Sequence, residues 1–147
     1  VMTDMARLNA QSRVLEIGAG CGYQAAVLAQ IAAHVVTVER IAALADAARA
    51  RFSRLGYGNI QVFHADGGNG WPAEAPYDAI LVTAAAAKLP DALLGQLRPG
   101  GRMVIPLGQP KVSQSLTVLE KDADGAVRES CHLPVAFVPL VRGITHA

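Results

Sequence analysis

A glycine-rich turn follows a short apolar run near the start of the chain, and its residues are the first that could do chemistry. Residues 14–17 are Val-Leu-Glu-Ile, and Gly18, Gly20 and Gly22 follow at alternate positions. Glycine lets the backbone turn sharply and lets a ligand lie against bare main chain, which a Cβ would prevent. The N–H groups at the start of the following helix then face that ligand. This strand, turn and helix predict the first unit of a nucleotide-binding α/β domain.

The spacing of the glycines separates two kinds of nucleotide ligand. A dinucleotide-binding turn has the pattern Gly-x-Gly-x-x-Gly, but Tyr23 stands where its third glycine would be, because Gly22 comes one residue early. Glu16 lies two places before the first glycine, and a carboxylate there suits a cationic ligand better than a pyrophosphate. S-adenosylmethionine carries a sulfonium and an ammonium and has no phosphate. We therefore predict that S-adenosylmethionine binds at this turn.

Two further acidic residues come directly after predicted strands. The β-branched run His34 to Val38 predicts a second strand and leads into Glu39. A carboxylate there reaches the crevice where a ribose lies and accepts from both of its hydroxyls, and an ordinary helix-starting acid is the alternative. Asp66-Gly67 follows a third predicted strand, Ile60 to His64. That pair suits an adenine amine, and it equally suits a plain turn.

The elements that must position these residues alternate between strand and helix patterns. The first strand is predicted over Arg13 to Ile17, and helices are predicted over Tyr23 to Ala32 and Ile41 to Leu55. The later predicted elements are a strand over Ala79 to Thr83, a helix from Pro90 with Leu97 on its buried side, a strand over Arg102 to Leu107, a strand over Ser115 to Lys121 and a return strand from Val127. The pattern predicts an α/β fold: a Rossmann-like, doubly wound, mostly parallel sheet with helices on both faces and an antiparallel C-terminal strand pair.

Composition excludes several classes of function. The 147 residues suffice for one domain, 52% of them are hydrophobic, and the net charge of +1 favours neither nucleic acid nor an anionic membrane as a partner. No apolar run is long enough to span a membrane. The two cysteines, Cys21 and Cys131, form no disulfide framework and indicate a reduced, cytoplasmic protein. The four histidines have no metal-ligand spacing, so we expect no metal.

The chain begins at Val1, which is not an initiator, and Met2 to Leu8 has the pattern of the tail of a helix begun upstream. We therefore expect residues 1–147 to form a single S-adenosylmethionine-binding domain that lacks an N-terminal segment.

Several later segments, taken together with the glycine turn, are distinctive. They are Gly70-Trp-Pro72, Val82-Thr-Ala-Ala-Ala86, Leu97-Arg-Pro-Gly-Gly-Arg102 and Phe137-Val-Pro-Leu-Val141. On these residues, over nearly its whole length, the chain resembles the protein-L-isoaspartate O-methyltransferase family, a class I family of S-adenosylmethionine-dependent methyltransferases. The glycine turn and Pro-Gly-Gly are shared by many methyltransferases, whereas the other segments are far more specific to this family.

The resemblance implies a function that no single motif shows, the repair of age-damaged proteins. The family transfers a methyl group to the free α-carboxylate of an L-isoaspartyl residue in a damaged protein or peptide. The ester then cyclises to a succinimide, which hydrolyses partly to normal aspartate. Because a carboxylate is already ionised at neutral pH, this chemistry needs no general base, and alignment in a desolvated pocket supplies much of the acceleration.

The resemblance also implies roles for individual residues. The implied cofactor-binding residues are Glu16, Gly18, Ala19, Gly20, Gly22, Glu39, Arg40, Asp66 and Gly67. The implied substrate-binding residues are Val135, Ala136, Phe137, Val138, Pro139 and Leu140, with Thr83 at the edge of the active crevice. The resemblance places the family's active-site serine in a segment before Val1, so the catalytic residue is unknown and Thr83 is assigned only as a residue of the crevice. Ala136 stands where family members often carry an arginine.

Other hypotheses stay open at this point. One is a methyltransferase of the same fold that acts on a small molecule, although the segment Phe137 to Val141 speaks against it. Another is a cofactor-binding homologue that serves as an interaction module without turnover. A dinucleotide-dependent oxidoreductase is opposed by Tyr23. For the repair methyltransferase, we expect a cytoplasmic monomer.

Overall fold

The computed structural model describes residues 2–19, 22–109 and 113–146, and within these ranges the chain forms seven β-strands and four α-helices. The helices are α1 (Met2–Ala6), α2 (Tyr23–Ile31), α3 (Ala42–Leu55) and α4 (Asp91–Leu94). The strands are β1 (Arg13–Ile17), β2 (His34–Glu39), β3 (Ile60–His64), β4 (Tyr77–Val82), β5 (Leu97–Gln109), β6 (Ser113–Lys121) and β7 (Val127–Val135). Two short 3-10 turns, Gly67–Asn69 and Pro72–Glu74, lie between β3 and β4.

All seven strands belong to one sheet in the order β3-β2-β1-β4-β5-β6-β7. The strands β1 to β5 are mutually parallel, so their carboxyl ends meet at one edge. The last two strands are antiparallel, β6 to β5 and β7 to β6. The predicted mostly parallel sheet with an antiparallel C-terminal strand pair is therefore confirmed.

Apolar side chains cover both faces of the sheet. On one face, Leu28 of α2 and Phe52 of α3 pack in a core with Val14 and Val35 of the central strands. On the other face, Leu93 of α4 packs in a second core that contains Leu15 and Ile80, among other strand residues. A sheet buried on both sides explains why residues 79–82 of β4 form a continuous apolar run rather than an alternating one.

The connection between β4 and β5 differs from the prediction. The predicted helix with Leu97 on its buried side is a single turn, α4, and Leu97 already belongs to β5. Tyr77 pairs with Leu97 and Ala79 with Arg102, so residues 98–101 bulge out of the strand pair. Gly101 lies so close to the backbone that a Cβ would meet the carbonyl oxygens of Arg98 and Asp78 at 2.8 Å. The Pro-Gly-Gly segment therefore forms a bulge within β5 and does not mark the end of a helix.

In the part of the chain that the structure describes, no helix has the length and apolarity needed to cross a bilayer.

Candidate active site

A pocket of about 390 Å³ opens at the edge where the parallel strands end. Ligands of open α/β sheets bind at this edge, and the volume is in the range of small-molecule sites. The lining combines the ends of β1, β2 and β4 with a C-terminal segment: Ile17, Gly18, Val38, Glu39, Arg40, Ile41, Leu44, Gly67, Thr83, Ala84, Val138, Pro139, Leu140 and Val141. The pocket thus brings together residues from both the predicted cofactor site and the predicted substrate site.

Gly18 and Thr83 form the floor where β1 and β4 end. The Thr83 hydroxyl donates to the carbonyl oxygens of Ile17 at 2.7 Å and Gly18 at 3.1 Å. Gly18 has φ +98°, and a Cβ there would lie 2.4 Å from Thr83 Oγ1. Only glycine fits this position without strain. Thr83 lines the pocket, and its hydroxyl forms hydrogen bonds with the backbone where β1 ends.

Glu16 lies in β1 and is fully buried. Its Oε1 accepts a 2.6 Å hydrogen bond from Thr37 Oγ1 of β2, while its Oε2 has no hydrogen-bond partner among the described residues. Burial raises the pKa of this carboxyl to about 8, the bond from Thr37 opposes the rise, and the nearby Glu39 carboxylate adds to it. An unpartnered carboxyl oxygen is costly to bury. Its chemistry fits a cationic ligand group.

Glu39 ends β2, is buried and lines the pocket. Its Oε2 accepts from the backbone N–H of Ile41 at 3.1 Å, which orients the carboxylate beside the entry to α3. Arg40 also lines the pocket, and its Nε is buried without a hydrogen-bond partner among the described residues. An acid at the end of β2 that faces the crevice matches the position expected of a ribose acceptor.

Asp66 and Gly67 follow β3, and Gly67 lines the pocket. Asp66 Oδ2 accepts from Arg142 Nε at 2.9 Å and from the backbone N–H of Gly143 at 3.1 Å, while Oδ1 accepts from the N–H of Gly68 at 2.9 Å. Burial would raise the pKa of Asp66, but the hydrogen bonds from Gly143, Arg142 and Gly68 outweigh it and lower the pKa. The Asp66 carboxylate therefore anchors the C-terminal segment of the chain.

The predicted substrate segment divides into two parts. Val138, Pro139 and Leu140 line the pocket, and Ala85 holds them by backbone hydrogen bonds to Val138 O at 2.7 Å and from Leu140 N at 2.8 Å. Val135 ends β7 and packs, like Phe137, against the core on the α2 and α3 side. Ala136 is exposed.

Several predicted cofactor residues lie outside the lining. Ala19 is 4% exposed, and Gly22 has φ +87° and abuts the ring of Phe52. Gly20, together with Cys21, lies outside the described residues. Beyond Ala84, the chain forms isolated β-bridges, in which Ala85 pairs with Pro139 and Ala86 with Leu107.

Sequence reasoning missed the residues that hold the pocket together, Arg142, Gln96 and Gln114. Arg142 gave no signal, because it contacts Asp66 across 76 positions of sequence. Gln114 gave a weak signal in the sequence. It stands two residues before Leu116 and four before Val118, which face the core, so an inward amide could have been noticed.

A larger cleft, of about 530 Å³, lies at the opposite end of the sheet. Several of its charged groups pair with one another: Arg98 with Asp78, and both Arg102 and Arg128 with Glu120. Because these charges are already paired and the cleft is remote from the carboxyl edge, we assign the site to the smaller pocket. Among the described residues, no group of three or more His, Cys, Asp or Glu could hold a metal ion.

The fold and pocket define a Rossmann-like protein of the methyltransferase type. The family model described as protein-L-isoaspartate(D-aspartate) O-methyltransferase matches residues 1–145, and the chain belongs to that family. Protein-L-isoaspartate O-methyltransferase 2 of Syntrophobacter fumaroxidans is 52% identical over 143 residues, which are 97% of this chain and 58% of that protein. The chain spans roughly 60% of the length of such curated relatives.

Solved structures agree with this assignment. A structure of a protein-L-isoaspartate O-methyltransferase superposes with a TM-score of 0.86 at 31% identity, covering 94% of this chain and 44% of that one. A Plasmodium falciparum protein solved in complex with S-adenosyl-L-homocysteine superposes with a TM-score of 0.76 at 23% identity, covering 95% of this chain and 69% of that one. At that identity the likeness shows the fold alone.

Proposed function

We propose that this protein transfers a methyl group from S-adenosylmethionine to the α-carboxylate of L-isoaspartyl residues in damaged proteins and peptides. The observation that carries the proposal is the shared pocket, which Glu39 lines on one side and the segment 138–140 on the other. Family membership supports the same chemistry. A cofactor and an acceptor peptide would meet between these two walls.

The residues of the pocket fit S-adenosylmethionine. Bound there, this compound supplies an electrophilic methyl group on a sulfonium. Glu39 would accept from the ribose hydroxyls, and Gly18 and Gly67 offer bare backbone at the crevice. Glu16 lies outside the lining, and its Oε2 has no hydrogen-bond partner among the described residues; in its ionised form it would complement the positive charge of the methionine moiety. Ala19, Gly20, Gly22, Arg40 and Asp66 complete the proposed cofactor site.

The acceptor would lie along residues 135–140, with Thr83 and Ala84 at the junction of the two halves. These residues would hold a carboxylate oxygen of the substrate in line with the methyl group, so that the oxygen would bond to the methyl carbon as the carbon–sulfur bond breaks and the cofactor would leave as a neutral thioether. No proton moves in this step. The protein must therefore align the two reactants and exclude water, and it needs no acid–base pair.

The direct test is transfer of radiolabelled methyl from S-adenosylmethionine to a synthetic isoaspartyl peptide by the native protein. Labelled peptide supports the proposal. Binding of S-adenosylhomocysteine in titration calorimetry without any labelled peptide would instead support a cofactor-binding module that does not turn over. Binding of NADH with no binding of S-adenosylhomocysteine would overturn the assignment.

We also propose that the protein is a cytoplasmic monomer. The support for the compartment is a chain whose two cysteines are far apart in sequence. Light scattering after size-exclusion chromatography measures the oligomeric state, and a dimer mass would contradict it.

A further inference from the structure

Two buried glutamine side chains each hold one loop beside the pocket. Gln96 stands directly before β5 and is 7% exposed, and Gln114 stands near the start of β6 and is 9% exposed. Neither side chain lines the pocket. Both place their amides against main-chain groups of another segment, so each can act on the site only through the loop that it holds.

Gln96 holds the loop that follows Asp66 and Gly67. Its Oε1 accepts from the backbone N–H of Trp71 at 2.9 Å, and its Nε2 donates to the carbonyl oxygen of Asn69 at 2.8 Å. The residue between them, Gly70, lies so close that a Cβ would meet Gln96 Oε1 at 2.4 Å. The amide thus determines the path of the chain just beyond the proposed adenine-binding residues.

Gln114 holds the proposed substrate segment. Its Oε1 accepts from the backbone N–H of Phe137 at 2.6 Å, and its Nε2 donates to the carbonyl oxygen of the same residue at 3.1 Å. Together these two bonds pair the Gln114 amide with both backbone groups of Phe137, in the way that two residues of a β-bridge pair. The next residue, Val138, is held from the other side by Ala85. The segment that walls the pocket is therefore fixed between a side chain of β6 and the backbone after β4.

We propose that Gln96 and Gln114 are separate positioning residues, one for the cofactor half of the site and one for the acceptor half. This inference rests on the proposed function and deepens it. Each glutamine amide bonds to only one of the two loops, so loss of one amide should disturb mainly one half of the site. When the amide is lost, the buried backbone donor and acceptor that it bonded have no water to replace it. The loop must then move before these backbone groups find new partners.

The test compares Gln96→Met with Gln114→Met in the native protein. Methionine has a similar length and no hydrogen-bonding amide. Calorimetry gives the Kd of S-adenosylhomocysteine, and the methyl-transfer assay gives KM and kcat for an isoaspartyl peptide. We expect Q96M to raise the cofactor Kd roughly tenfold and leave the peptide KM nearly unchanged. We expect Q114M to raise the peptide KM roughly tenfold, with cofactor Kd and kcat nearly unchanged.

Fluorescence supplies a readout that does not depend on activity. Trp71 is the one tryptophan of the chain, and Gln96 holds its backbone. Its emission should shift in Q96M and stay unchanged in Q114M. Thermal melts show whether each variant folds. If a methionine variant does not fold, Gln96→Asn or Gln114→Asn, which keeps an amide on a shorter side chain, takes its place with the same expected split.

The inference is overturned if both variants raise the cofactor Kd and the peptide KM together, or if neither parameter changes in folded variants. An unaltered protein that binds no S-adenosylhomocysteine contradicts the proposed function and this inference with it. Normal binding and turnover by the unaltered protein, without a split between the variants, contradicts this inference alone.

Discussion

Thr37 donates a 2.6 Å hydrogen bond to Glu16 across the neighbouring strands β2 and β1, and both side chains are buried. The second carboxyl oxygen of Glu16 has no hydrogen-bond partner among the described residues. Burial raises the pKa of Glu16 to about 8, so the carboxyl is largely protonated in the folded protein at neutral pH. The folded protein thus keeps this buried carboxyl neutral up to a pH near its raised pKa.

Protonation of Glu16 makes stability depend on pH. The unfolded chain releases the proton near the ordinary pKa of 4.5, whereas the folded protein keeps it until about 8. The free energy of unfolding should therefore fall as pH rises from 4.5 to 8, because over this window the unfolded state binds fewer protons. The effect is on the order of 3–5 kcal/mol, at about 1.4 kcal/mol for each pKa unit.

Glu16→Gln removes the ionisable group and keeps an acceptor for Thr37. Urea unfolding at pH 5 and pH 8 measures the free energy of unfolding of both proteins. Relative to that of the unaltered protein, the value for E16Q should be higher at pH 8 than at pH 5. Glu74→Gln, at the other end of the sheet, is the control for loss of a carboxylate. A difference between E16Q and the unaltered protein that is equal at both pH values would show that Glu16 ionises normally.

Glu39→Ala should weaken binding of S-adenosylhomocysteine at least tenfold. The carboxylate lines the pocket, and each hydrogen bond to a charged acceptor contributes roughly 1.5–3 kcal/mol. Titration calorimetry measures the change, with Glu74→Ala as a control and circular dichroism to confirm the fold. An unchanged Kd would mean that the ribose lies elsewhere.

Gly18→Ala should destabilise the protein by roughly 1–3 kcal/mol, because it combines a left-handed backbone with a clash. The φ of +98° is unfavourable for alanine, and its Cβ would approach Thr83 Oγ1 at 2.4 Å. Gly58→Ala is the matched control, since a Cβ there meets nothing within 4 Å. Urea unfolding should separate the two variants clearly. Equal stability of both would contradict the close approach of Gly18 to the Thr83 side chain.

Arg142→Ala should weaken cofactor binding by a few-fold, since exposed ion pairs contribute about 0.2–1 kcal/mol. Arg142 donates through Nε to Asp66 and through Nη2 to Asn69 Oδ1 at 2.9 Å, next to the pocket wall at Val141. The control is Arg98→Ala, which breaks the ion pair with Asp78 in the remote cleft. If calorimetry finds equal cofactor affinities for the two variants, Arg142 does not contribute to the cofactor site.

Local sequence patterns predicted the elements that local physics determines. The strands β1 and β3 begin and end where expected, because β-branched and apolar runs there are bounded by polar residues and glycine. The bulge at 98–101 was missed, since Pro-Gly-Gly can end a helix or leave a strand pair, and only the register against β4 decides between them. Whether Pro-Gly-Gly ends a helix or bulges out of a strand pair therefore depends on tertiary contacts.

The candidate site shows the same division. Glu39 and Gly18 were predictable, because the end of a strand places them at the ligand edge. The anchoring of Asp66 by Arg142 and of Phe137 by Gln114 joins residues 76 and 23 positions apart, so no local pattern carries it.

The most direct measurement of the central claim compares two peptides that differ at one residue. An isoaspartyl residue runs the backbone through its side chain and leaves a free α-carboxylate closer to the main chain than the aspartyl carboxylate. The native protein, with radiolabelled S-adenosylmethionine, should label the isoaspartyl peptide and not its aspartyl counterpart. The ester should then release labelled methanol as the succinimide forms. Equal labelling of both peptides, or no labelling by protein that binds S-adenosylhomocysteine, would contradict the account.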